Sequence, residues 1–188
     1  MRFAGLIGAA SVTLAGCVGH TEAPAYVELP GSIALRNPDF EAGLGADGAI
    51  EGWTQSQHAG PPSYKFAIDH DVSATGAASF RIERTREQVY GLIAQNVPIA
   101  AYAGHTIELT AQTKTDNVGP HGWQLTLTFT GGVPNPRRSA PSVTGTQDFR
   151  KITLRTPVPS GALEVEIAAV LSDRGTAWLD DVHLRVVD

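Results

Sequence analysis

The sequence predicts an all-β domain, built as a two-sheet antiparallel sandwich, and three observations support this. Apolar and polar residues alternate with a period of two in six separate segments, as they do in strands with one buried face. Clusters rich in glycine, proline and serine separate these segments, and none of them has the apolar stripe of a helix. The 188 residues include 20 glycines and 12 prolines, with 42% hydrophobic and 18% charged residues, which is enough apolar material for one core.

The predicted strands follow one another without an intervening helix. In chain order they lie at residues 64–68, 80–83, 107–112, 124–129, 165–171 and 182–186. The turn clusters lie at residues 59–63, 73–77, 116–122, 131–136, 157–161 and 172–175. Each strand alternates in polarity, so each sheet is expected to bury one face against the other.

The first 17 residues have the pattern of an export signal. Arg2 precedes an apolar stretch that is too short to span a bilayer. The motif Leu14-Ala15-Gly16-Cys17 resembles the bacterial lipobox, in which the cysteine is lipidated and becomes the mature N-terminus. That resemblance implies a cleaved lipoprotein signal peptide at residues 1–16 and a membrane anchor at Cys17. The alternative is an ordinary secretory signal in which the cysteine falls by chance.

Two further expectations follow from this N-terminal region. Cys17 is the sole cysteine, so no intramolecular disulfide is possible. Enteric-type sorting retains lipoproteins with Asp after the cysteine at the inner membrane, and Val18 therefore favours the outer membrane of a two-membrane cell envelope. Residues 17–34 are predicted to be the lipidated cysteine and a flexible tether, followed by one domain at residues 35–188.

Residues 35–188 carry motifs at their start, middle and end. The opening carries Asn37-Pro38-Asp39-Phe40-Glu41 followed by Gly52-Trp53, and the middle carries Gln95-Asn96-Val97-Pro98. The close is Gly175-Thr176-Ala177-Trp178-Leu179-Asp180-Asp181-Val182-His183-Leu184. In this order the motifs resemble those of CenC-type carbohydrate-binding modules, and the resemblance implies a jelly-roll β-sandwich of the galactose-binding-domain type. That fold also has protein-binding and purely structural members, so it does not by itself define a function.

The same resemblance implies a structural calcium ion. In the family, a glutamate at the position of Glu41 and the first acid of the closing pair, here Asp180, supply side-chain oxygens. Backbone carbonyls come from the loop before the Ser-Phe-Arg-Ile strand, here near Thr75 and Ala78. Calcium prefers such a set of oxygen ligands. The alternative is that Asp180 caps backbone amides while Glu41 is solvated.

Sugar-binding modules place aromatic rings against the apolar faces of sugars and use amides to bond the hydroxyl groups. The candidates for these two roles are Tyr90, Trp123 and Tyr102, with Gln95, Gln112 and Gln124. The resemblance places a binding aromatic at Tyr90. Gln112 and Gln124 have the same strand parity, which predicts one polar sheet face. Such a face is either a ligand cleft or the solvated side of the sheet.

Other features exclude several functions. The net charge of −5 disfavours nucleic-acid binding, and the pair Arg137-Arg138 lies in a proline-rich segment expected to be a solvated loop. Trp53 lies at the core tryptophan position that the resemblance implies, and Trp178 has the same strand parity as Val182 and Leu184, so both are expected to be packing residues. The histidines lack the paired spacing of a zinc site, and no nucleophile elbow or phosphate-binding glycine loop is present. We therefore expect a non-catalytic, glycan-binding envelope lipoprotein; the alternative is an envelope structural or protein-interaction lipoprotein that binds no sugar.

Overall fold

The computed structural model describes residues 23–134 and 136–188, and Cys17 with its lipobox lies outside them. Within these ranges the fold is all-β, as predicted, with one short 3₁₀ turn at Ala100–Tyr102. The strands are β1 (Thr54–Gln57), β2 (Tyr64–Asp69), β3 (Ser79–Arg84), β4 (Gly91–Pro98), β5 (Thr106–Gly131), β6 (Arg137–Ser139), β7 (Val143–Pro157), β8 (Ala162–Leu171) and β9 (Gly175–Val186). No helix in this part of the chain is long and apolar enough to cross a membrane.

The long strand β5 belongs to both layers of the sandwich. Its first half pairs with β7 and β9, and its second half pairs with β6 and β8. We call the layer of β2, β3, β9, β7 and the first half of β5 sheet I. Sheet II comprises β1, β4, β8, β6 and the second half of β5. All the pairings are antiparallel.

The hydrophobic core lies between the two sheets. Its largest fully buried side chains include Trp123, Phe40, Phe80 and Phe129. Trp53 is 5% exposed and belongs to this core. Trp178 is also buried, at 8% exposed, but it packs on the outer face of sheet I, where its indole donates to Asp69 at 2.8 Å and the guanidinium of Arg81 lies over its ring. Both are packing residues, as predicted. Burial of this apolar surface is the main source of stability in such a fold.

The predicted turn at residues 116–122 is wrong, because β5 stays extended there while it passes from sheet I to sheet II. The register with β7 shifts three times between Thr113 and Trp123. Gln112 therefore pairs with Asp180 in sheet I, whereas Gln124 pairs with Val170 in sheet II. The single polar face predicted for these two glutamines is split between opposite sides of the molecule.

Residues 24–33, called here the N-terminal strap, pack against sheet I. The amide of Ile33 donates to the carbonyl of Leu184 at 2.7 Å. The ring of Tyr26 stacks on His183 with 4.7 Å between centroids. The described part of the predicted tether is therefore bonded to β9.

Candidate functional site

The outer face of sheet II carries a second apolar cluster, separate from the core. Ala94, Ala168 and Val170 are 6%, 2% and 7% exposed, and the half-buried Tyr90 and Leu92 pack against them. The outer face of an antiparallel sheet is ordinarily polar when it only meets water. An apolar floor on such a face is instead typical of a ligand site.

A cleft of about 880 Å³ opens over this cluster. Its apolar lining consists of Val89, Tyr90, Leu92 and Val170. Its polar lining consists of Arg84, Glu87, Gln88, His121, Arg137 and Ser172. Apolar walls with a few polar groups at the rim are the usual composition of a small-molecule site.

Tyr90 is placed by the start of β4. The carbonyl of Tyr90 accepts a hydrogen bond from the amide of His58 at 2.9 Å, and the two rings meet edge to face at 5.8 Å. The next residue, Gly91, allows the ring of Tyr64 to pack against the start of β4, because a Cβ atom at Gly91 would lie 2.5 Å from that ring. The Tyr90 ring is thereby held at one end of the cleft.

The cleft rim is organised by the carboxylate of Asp173, which is 6% exposed. It accepts hydrogen bonds from the amides of His121 at 3.1 Å and Arg174 at 2.7 Å, and from the guanidinium of Arg84 at 3.3 Å. The hydrogen bond from the His121 amide is the main cause that holds the pKa of Asp173 below its usual value. Arg84 also donates to the carbonyl of Gln88 at 3.1 Å. These hydrogen bonds fix the rim segments that contain Arg84, His121 and Asp173 relative to one another.

Among the five residues predicted to bind a ligand, the structure brings only Tyr90 to this cleft. Trp123 is 1% exposed and points into the core, so its ring is not available to a ligand. Gln95 is 6% exposed, and its side chain bonds the backbone of Arg36 and Gly52.

The other two glutamines are separated by the path of β5. Gln124 lies on the sheet II face, where its amide donates to the carbonyl of Ala140 at 2.8 Å and so holds the segment after β6. Gln112 lies on sheet I, away from the cleft. Arg84, His121 and Arg137 were not predicted as site residues, because no spacing rule links them; the fold alone brings them together.

The proposed calcium ligands converge on one loop, at residues 74–78. Both oxygens of Asp180 accept hydrogen bonds from the protein. Oδ2 accepts them from the amides of Ala74 at 2.7 Å and Thr75 at 2.9 Å, and Oδ1 from the Thr75 hydroxyl and the Asp181 amide. Burial raises the pKa of Asp180 to about 6, against the opposing effect of these backbone hydrogen bonds.

Glu41 makes the same kind of contact. Its Oε1 accepts the amides of Ala77 at 2.7 Å and Ala78 at 2.9 Å. Thr75 and Ala78 therefore present N–H groups to the carboxylates, whereas calcium requires oxygen atoms. Among the described residues, no group of three or more acidic or histidine side chains is placed to hold a metal ion. This arrangement does not fit a resident calcium ion. It fits the alternative for Asp180, which caps backbone amides, but Glu41 caps amides as well and is not simply solvated.

No family model and no curated protein matches the chain. Several solved structures, however, are similar to it. The module TmCBM61, in complex with beta-1,4-galactotriose, has a TM-score of 0.56 and 15% identity, over 83% of this chain and 99% of that one. The CBM22-1 xylan-binding domain of Paenibacillus barcinonensis Xyn10C has a TM-score of 0.55 and 14% identity, over 88% of this chain and 98% of that one.

Enzymes share the fold as well. A cyclase from Fischerella sp. TAU has a TM-score of 0.59 and 15% identity, over 83% of this chain and 96% of that one. The enzymatically active domain of tailspike protein 4 from bacteriophage CBA120 has a TM-score of 0.63 and 18% identity over 80% of this chain, which spans only 22% of that one. The chain therefore has the β-sandwich fold of carbohydrate-binding modules, a fold that also occurs in enzymes.

Proposed function

We propose that this chain is a non-catalytic, glycan-binding module of the cell envelope, and that the glycan binds in the cleft of sheet II. The observation that carries this proposal is the apolar cluster under Tyr90 on an outer sheet face. The Tyr90 ring and the side chains of Leu92 and Val170 offer apolar surface to a sugar ring. Side chains of the lining such as His121 and Ser172 offer hydrogen bonds to its hydroxyl groups. The ligands named for the two similar modules support this assignment.

The cleft chemistry favours binding over catalysis. Glycoside hydrolysis ordinarily requires two carboxyl groups that flank the scissile bond. Among the described lining residues, Glu87 is the one carboxylate. The nearby Asp173 carboxylate is engaged by three hydrogen-bond donors. The rival is an envelope structural or protein-interaction role, in which the same cleft binds no sugar.

Binding is tested on the purified protein with a glycan array that covers plant, microbial and envelope polysaccharides, followed by calorimetry on the hits. We expect Tyr90→Ala to weaken binding about tenfold or more, which corresponds to about 1.4 kcal/mol, because the ring contact is lost. Phe149→Ala is the matched control, since Phe149 is a half-buried aromatic residue of β7 in sheet I. Equal affinity of the Tyr90 variant and the wild type would place the ligand elsewhere, and silence across all glycans would favour the rival.

The location is proposed from the sequence. The lipobox supports a lipid anchor at Cys17, and Val18 supports the outer membrane of a two-membrane cell. In the producing cell, Cys17→Ser should move the protein from the membrane fraction to the soluble fraction. Because one acyl chain alone binds membranes only marginally, stable anchoring requires more than one lipid chain at the cysteine. Retention of the variant in the membrane fraction would contradict the anchor.

A further inference from the structure

We infer that the glycan bound in this cleft is anionic, with carboxylate or sulfate groups on its sugars. This inference rests on the proposed function and adds the chemical class of the ligand. The chain as a whole has a net charge of −5. The cleft lining nevertheless includes two guanidinium groups, of Arg84 and Arg137, and one carboxylate, of Glu87. Arg84 is paired with Asp173 at the rim, so Arg137 is the cationic group of the lining that forms no ion pair within the described residues. An unpaired positive charge in a cleft of an acidic protein attracts anions from solution.

Arg137 is the guanidinium that is available to a ligand. It is an exposed residue of β6 and pairs with Thr128, whose side chain lies on the outer face of sheet II. It forms no ion pair within the described ranges. Arginine presents a planar set of donors that matches a carboxylate or a sulfate with two parallel hydrogen bonds.

Arg84 is the second guanidinium of the lining, and its charge is balanced by Asp173. Its side chain is 16% exposed and is held between Asp173 at 3.3 Å and the carbonyl of Gln88 at 3.1 Å. A fixed donor loses little conformational entropy when it binds a ligand. Arg84 can therefore add a hydrogen bond to a ligand, whereas the unbalanced positive charge comes from Arg137.

The acidic groups on this face leave the basic end of the cleft open. Glu87 is exposed and forms no ion pair within residues 23–134 and 136–188. Glu166 lies on the same sheet face and pairs with Thr128 from the other side, so two strand spacings, about 10 Å, separate its backbone from that of Arg137. The exposed Glu164 lies two residues earlier on the same face of β8 and pairs with Thr130. None of these three carboxylates forms an ion pair with Arg137 within the described residues.

The test uses matched polymers that differ only in charge. The probes are polygalacturonate with its fully methyl-esterified form, and dextran sulfate with dextran. We expect at least one charged polymer to bind the purified protein at least tenfold tighter than its neutral partner, and added salt to weaken that binding. The pair that shows the difference tells carboxylate from sulfate.

Two variants tie the effect to the cleft. Arg137→Gln should reduce affinity for the charged polymer about tenfold. Arg138→Gln, which alters the neighbouring exposed arginine paired with Leu127, should leave it unchanged. Equal affinity for charged and neutral polymers, or equal loss in the two variants, would overturn the anionic ligand while leaving glycan binding in place. Failure of the charged polymers together with silence on the glycan array would overturn both proposals.

Discussion

The outer faces of the two sheets are built in opposite ways. On sheet I, Glu108 is 3% exposed and accepts hydrogen bonds from Arg155 and from Arg185, the latter at 2.6 and 2.8 Å. The N-terminal strap covers His183 beside this cluster. On sheet II, the apolar cluster under Tyr90 meets an open cleft. Sheet I pairs its buried Glu108 carboxylate with the protein's own arginines, although the Thr110 hydroxyl and Nδ1 of His183 beside it have no hydrogen-bond partner among the described residues. The cleft of sheet II instead exposes both apolar surface and charge.

This difference predicts that substitutions on the two faces separate stability from binding. Buried charges on sheet I depend on their partners, and an unpaired buried charge is costly. Groups in an open cleft contribute little to folding, because water already reaches them. Changes on sheet I should therefore alter unfolding, and changes in the cleft should alter ligand affinity.

The largest expected effect is the pH dependence that Asp180 confers. Its pKa is raised from 3.8 to about 6 in the folded state, so the folded protein binds this proton more tightly than the unfolded chain. Stability should therefore fall as pH rises from about 4 to about 7, by about 3 kcal/mol from this group. Urea unfolding of the wild type and of Asp180→Asn at both pH values measures it. The variant should lack this component.

Tyr90→Ala is the control on the other sheet, since it should keep the wild-type dependence of stability on pH. If the difference in unfolding free energy between wild type and Asp180→Asn is the same at both pH values, the carboxyl of Asp180 titrates at its ordinary pKa. The loss of stability with rising pH that is assigned to Asp180 would then be absent.

The next effect is smaller and has the opposite pH sign. Burial raises the pKa of Glu108, but hydrogen bonds from Arg185 and Arg155 outweigh it and hold that pKa below the ordinary value. Its contribution is therefore present at neutral pH and is lost as pH falls through the lowered pKa. Glu108→Gln should destabilise the protein by about 2 kcal/mol at neutral pH, less than a fully buried pair would cost, since the Arg155 and Arg185 side chains are 63% and 31% exposed.

Glu83→Gln is the matched control for this variant. Glu83 forms an exposed ion pair with Arg81 on the same sheet, and such pairs contribute under about 1 kcal/mol. Thermal unfolding of both variants at neutral pH measures the difference. Equal shifts in melting temperature would mean that burial of Glu108 adds nothing to the stability that its ion pairs provide. The contrast between the two faces would then weaken.

The sequence predicted the fold because period-two alternation reports burial directly. Most strands were found in this way, whereas Trp53 was found through the family resemblance. Parity failed for Trp178, because the irregular backbone at Asp181 (φ 50°) places it on the opposite face from the core residues Val182 and Leu184. The sequence did not show how a strand runs relative to the two sheets. Strand parity placed Gln112 and Gln124 on one face, because nothing in the sequence marks where β5 passes from sheet I to sheet II.

The candidate site was predicted less well for a related physical reason. Tyr90 was found through a family resemblance, whereas Arg84, His121 and Arg137 come from three distant segments and share no pattern. Arg137 was interpreted as part of a solvated loop, because pairing of β6 with β5 is invisible in the sequence. Trp123 was misplaced because aromatic character alone does not tell a buried ring from an exposed one.

The smallest expected effect concerns the loop at residues 74–78, where sequence and structure also differ. The sequence predicted that Glu41 and Asp180 meet there and left open whether Asp180 binds calcium or caps backbone amides; it did not predict that Glu41 caps amides as well. We expect EDTA to leave the melting temperature unchanged and added calcium not to raise it, because a ligand stabilises only the state that binds it. A chelator-sensitive melt, reversed by calcium, would show that an ion displaces these amides at this rim of sheet I.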